Sequence, residues 1–143
     1  MTKSSVFVWI AAGAFAAATT VALGAQAAKS ANEGVYTVDQ AKAGEGVYKE
    51  QCAACHGDNL EGSGPMPPLA GKDFLSNWQG KTVGDLFEKT QTSMPATAPG
   101  TLTPDQTAQV VSYMLSQSKY PAGSAALEPK ADALLKISID APK

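Results

Sequence analysis

Arginine is absent from all 143 residues, histidine occurs once, at His56, and cysteine twice, at Cys52 and Cys55. Without arginine the chain has no bidentate guanidinium fork, the usual clamp for phosphate, and its positive charge comes from lysine alone. Nucleic-acid binding is therefore not expected. A single histidine excludes paired imidazole ligation of any metal, and two cysteines allow one thiol pair at most. The residues show neither the alternating pattern of a β-sheet protein nor an internal repeat.

One apolar run stands out, from Val6 to Leu23, behind Lys3 and ahead of Ala25-Gln26-Ala27. A basic start, an apolar stretch and a small-X-small site read as a secretory signal peptide cut after Ala27. The competing reading is an uncleaved anchor, because about 18 residues is the lower limit for crossing a bilayer. Ala, Gly and Thr dominate the run, which suits export better than permanent insertion. Processing would leave 10 Lys against 13 acidic residues, so the exported chain would be mildly acidic. It would be periplasmic, with no stable membrane span.

The remainder divides into a leader over 28–36, a single domain over 37–118 and a C-terminal extension over 119–143. Thr37-Val38-Asp39-Gln40 fits a capping box, in which Thr37 and Gln40 satisfy amides at the start of a helix. That helix is predicted over 38–51, with Ala41, Gly44, Val47 and Tyr48 on its buried face. A loop rich in Gly and Pro follows, through Gly57, Gly62, Gly64, Pro65, Pro67, Pro68 and Gly71. A helical turn is predicted over Asp73–Trp78 and a helix over Thr82–Thr90, with Thr82 and Asp85 at capping positions. Thr103-Pro104-Asp105-Gln106 starts the last strong helix, which runs to Gln117 with Val110, Tyr113 and Met114 along one side. In the tail, Leu134–Ile139 is expected to dock as a short helix or strand, while the rest reads as a loose end or an arm for docking to a larger complex.

Both cysteines fall in Cys52-Ala53-Ala54-Cys55-His56, the Cys-X-X-Cys-His signature of covalent haem attachment. At the end of a helix, two thiols at this spacing can reach the two vinyl groups of one porphyrin while the next residue lies under the iron. Three other readings compete for the same residues. A Cys52–Cys55 disulfide would close a tiny loop and leave His56 without a role. A dithiol redox pair requires a βαβ setting that the helical pattern lacks. A zinc site requires a fourth ligand that no further Cys or His supplies.

With no second histidine, the sixth iron ligand is restricted to Met, Lys, water or nothing. Met66, Met94 and Met114 follow the export segment. Met114 lies mid-helix among Val110, Val111 and Leu115 and reads as core. Met66 lies on the loop that should wrap the histidine side. Met94 precedes Pro95 in an irregular segment able to reach the opposite haem face, and it is the candidate ligand.

Cys-Ala-Ala-Cys-His-Gly, Gly-Pro-Met-Pro-Pro-Leu-Ala-Gly, Ser-Met-Pro and Gln-Val-Val-Ser-Tyr-Met-Leu occur in that order, and the chain resembles the class I cytochromes c over about residues 36–118. The resemblance implies an all-α fold of three main helices plus short turns around one haem c. Cys52 and Cys55 would hold the thioethers, and His56 and Met94 the iron. A carbonyl in the Pro67-Pro68 stretch would accept the ring proton of His56, and Trp78 joins the candidate haem contacts. The first and last helices would cross where Gly44 and Tyr48 meet Tyr113. More narrowly, Leu86-Phe87-Glu88-Lys89 through Met94, together with Tyr120-Pro121-Ala122-Gly123, is similar to the cytochrome domains of quinoprotein alcohol dehydrogenases.

These features together describe a monohaem electron carrier rather than an enzyme. It would accept electrons from a dehydrogenase and pass them to a terminal oxidase or another cytochrome. The alternatives are a haem enzyme or gas-binding module with an open sixth position, and a permanent cytochrome subunit of a larger redox complex.

Overall fold

The computed structural model describes residues 29–143; the export segment expected over 1–27 lies outside them. The described residues form β1 (Lys29–Ser30), α1 (Val38–Gln51), α2 (Ala53–His56), α3 (Gly71–Trp78), α4 (Val83–Ser93), α5 (Pro104–Gln117), α6 (Ala131–Leu134) and β2 (Ile137–Ser138). The fold is all-α apart from the two short strands. None of the described helices is long and apolar enough to cross a membrane.

The frame is the crossing of α1 and α5. Gly44 makes it close: a Cβ at this position would collide with the Gln109 carbonyl of α5 and lie 3.0 Å from the Val110 nitrogen. Tyr48, one turn further on, packs its ring against Tyr113 at a centroid distance of 5.5 Å. Thr103 caps α5 through Gln106, with Pro104 at the first helical position, so this boundary follows the sequence signal. The α4 start behaves likewise, with Thr82 and Asp85 satisfying each other's backbone amides. Hydrogen bonds from the Thr82 hydroxyl and amide, in that order, hold the Asp85 carboxyl below its usual range.

At α1 the capping box is only half made. The Thr37 hydroxyl accepts from the Gln40 amide at 3.2 Å, but the Gln40 side chain does not turn back. Instead its carboxamide donates to the Leu127 carbonyl at 2.9 Å and accepts from the Leu127 amide at 2.7 Å. The tail competes successfully for this side chain because the peptide group of Leu127 offers it both a donor and an acceptor.

Leu134–Ile139 docks as expected, through the end of α6 and β2, while the leader and the rest of the tail are held more firmly than a loose end would be. Lys29 and Ser30 pair in parallel with Ile137 and Ser138, and the Ser30 hydroxyl donates to Asp140 at 2.6 Å. Val35, Tyr36, Tyr120, Leu127, Leu134, Ile137 and Ile139 are all buried in one core with α4 and α5. The Tyr36 hydroxyl donates to the Tyr120 carbonyl at 2.7 Å, and Gly123 donates to the Tyr36 carbonyl at 2.7 Å. The two flanks thus form one belt around the domain. Fully burying a side chain such as Ile139 contributes roughly 1.5–3 kcal/mol, enough to hold a tail whose remaining residues are small and polar.

Candidate functional site

Cys52 ends α1, and α2 is a single turn that carries Ala53 to His56. Both cysteines are free thiols, Cys52 half-buried and Cys55 exposed. Burial, and then the nearby Cys55, push the Cys52 thiol up to about 11. Among the described residues no group of three or more His, Cys, Asp or Glu side chains is placed to hold a metal ion.

His56 is buried, and its Nδ1 lies 2.8 Å from the Pro67 carbonyl oxygen. A carbonyl can only accept, so Nδ1 carries the ring hydrogen and Nε2 keeps its lone pair for a metal. Of the two prolines considered, Pro67 supplies this carbonyl; Pro68 is half-buried in the same loop. The loop folds back because Gly62 donates to the His56 carbonyl at 2.7 Å, and Ser63 and Met66 pair across the turn. Gly62 has φ +80, and a Cβ there would approach the Met66 carbonyl oxygen to 2.6 Å, so the turn requires glycine. Met66 itself is exposed.

Met94 comes from a second element, as the C-terminal cap of α4; it is half-buried and its amide donates to the Thr90 carbonyl at 3.1 Å. Met114 is buried in α5 and belongs to the core. Trp78, at the end of α3, packs against Phe74 at 6.2 Å between centroids, with the Lys81 ammonium 4.8 Å above its ring. The structure thus gathers Cys52, Cys55, His56 and Pro67 into one cluster, while Met94 and Trp78 sit at the ends of α4 and α3. The sequence reading missed two bonds that brace these parts, one from Tyr48, which it placed only at the helix crossing, and one from Gln91. The Tyr48 hydroxyl donates to the Gly57 carbonyl, beside His56. Gln91, one turn before Met94, donates to the Leu102 carbonyl at 2.6 Å. Neither has a local sequence signal, since each bond links residues whose proximity depends on loop geometry.

This donor set fits a covalently held haem: two unpaired thiols beside a buried imidazole whose Nδ1 is committed and whose Nε2 is free. The fold and these residues define a class I c-type cytochrome. The family described as cytochrome c oxidase, cbb3-type, subunit III matches residues 39–114, more than half of the chain, and the chain belongs to that family. No curated protein sequence matches it. Among solved structures, the sulfane dehydrogenase SoxCD from Paracoccus pantotrophus is similar, with 19% identity and a TM-score of 0.49. The alignment covers 73% of this chain and 60% of that one, so the chain spans less than two thirds of this relative.

Proposed function

We infer that this electron-transfer cytochrome is an exported carrier in which Cys52 and Cys55 would hold one haem through thioether bonds and His56 and Met94 would ligate its iron. The observation that carries the reading is the 2.8 Å bond between His56 Nδ1 and the Pro67 carbonyl, which leaves Nε2 as the ring's free donor beside both thiols. Bound haem supplies a one-electron ferric/ferrous couple. The protein's own part is to fix the ligands and exclude water. The Pro67 carbonyl fixes the tautomer and orientation of His56 and raises its basicity. A Met94 thioether on the iron would favour the ferrous state and so raise the potential.

Export is supported by Lys3, the run from Val6 to Leu23 and Ala25-Gln26-Ala27. A cut after Ala27 would leave β1 intact, since its pairing begins at Lys29. The work would then take place in the periplasm. A terminal oxidase is the favoured acceptor, in keeping with the oxidase named in the family's description, with another cytochrome as the alternative. The narrower resemblance supports a quinoprotein dehydrogenase as donor. A permanent subunit using 119–143 as a docking arm is less well supported, because that segment buries Leu127, Leu134 and Ile139 in its own domain.

A redox titration followed optically tests the carrier reading. One one-electron wave, with low-spin spectra in both states, is the expected result. Ferrous protein that is high-spin and binds carbon monoxide would instead support the open-site alternative.

A further inference from the structure

Residues 95–102 leave α4 at Met94 and return to α5 at Thr103. Ala96 to Thr101 are exposed, and the bonds inside the segment are local: the Ala98 amide to the Pro95 carbonyl at 2.9 Å, and the Thr101 hydroxyl to the Ala98 carbonyl at 2.8 Å. Among the described residues, the bond from Gln91 Nε2 to the Leu102 carbonyl, at 2.6 Å, is the hydrogen bond that ties this segment to a helix. Leu102 is itself buried, so its carbonyl is a fixed anchor.

We propose that Gln91 is the positioning residue for Met94, closing the base of its loop so that the sulfur is held where the sixth ligand is needed. The proposal rests on the reading of Met94 as that ligand. At the helix end on which Gln91 sits, the Met94 amide still donates to the Thr90 carbonyl at 3.1 Å. One end of the Met94 loop is therefore tied to α4, and Gln91 joins the other end to it. Its Oε1 is buried with no hydrogen-bond partner among the described residues. An unpaired buried acceptor costs free energy. A leucine would fill the same space without that cost, and the carboxamide's distinct contribution is its N–H bond to Leu102.

Without the bond, the loop would spend more time open, and an external ligand would compete more easily for the iron. The test is imidazole titration of the ferric holoprotein, with the sulfur-to-iron near-infrared band followed as temperature rises. Gln91→Ala and the near-isosteric Gln91→Glu, which loses the donor, should each raise imidazole affinity about three- to tenfold. They should also lose the band below the temperature of global unfolding. Gln40→Ala, which removes a bond of the belt far from this loop, serves as the control for general destabilisation and should leave imidazole affinity unchanged. If the Gln91 variants match the unmutated protein or the control, or lose the band only as the whole fold melts, Gln91 is ordinary packing and the proposal is overturned. An unmutated protein that lacks the band and takes imidazole freely would sink the Met94 reading itself, and this proposal with it.

Discussion

Gly44 of α1 lies so close to the Gln109 carbonyl of α5 that a methyl group at residue 44 would overlap backbone. Backbone cannot yield as a flexible side chain can, so Gly44→Ala must push the two helices apart and loosen the contact of Tyr48 with Tyr113. The expected loss is about 1–3 kcal/mol, the usual cost of overpacking, read from denaturant unfolding of the holoprotein. An Ala variant as stable as the parent would show that the crossing is looser than described.

The belt gives a second expectation. Gln40→Ala removes both bonds to Leu127, which should cost about 1–3 kcal/mol at a net ~0.5–1.5 kcal/mol per bond. Limited proteolysis should then cut more readily after residue 119. Unchanged proteolysis would mean that the apolar anchors hold the tail without help.

Acid should act on α4 through Asp85. Its folded pKa is lowered, so its contribution is present above the unfolded value of roughly 3.9 and is lost as pH falls through the folded value. Asp85→Ala should therefore lower the melting temperature near neutrality, while the difference from the parent shrinks in strong acid. A difference that grows on acidification would contradict the assignment.

How much of this was legible beforehand depended on how local the physics was. The starts of α4 and α5 and both ends of α1 followed from caps and spacing. The end of α4 ran three residues past Thr90, to Ser93, because the first residue that disfavours helix is Met94, which precedes Pro95. In the tail, docking at Leu134–Ile139 was legible, whereas the hold of Gln40 on Leu127 and the pairing of Lys29–Ser30 with Ile137–Ser138 were not, because each joins residues far apart in the chain. At the site, Cys52, Cys55 and His56 were visible as a contiguous motif. The Pro67 carbonyl was implied by family resemblance alone, since a backbone acceptor leaves no trace in residue type, and Gln91 left none either.

Met94 and Met114 should separate cleanly in experiment. Met94→Ala is expected to abolish the near-infrared band and lower the potential, because a soft thioether stabilises ferrous iron. Met114→Ala should retain the band while losing about 2–5 kcal/mol of stability, as a buried methionine would. A band that survives in Met94→Ala but vanishes in Met66→Ala would reverse the ligand assignment.

Covalent attachment at Cys52 and Cys55 is the central claim, and intact mass after acidified organic extraction tests it most directly. Extraction strips haem that is held only by ligation but leaves thioether-bonded haem on the chain. The account requires the mass of the chain plus one haem, with the addition confined to the peptide containing Cys52 and Cys55. A mass equal to that of the bare chain, with the haem recovered in the organic phase, would contradict it.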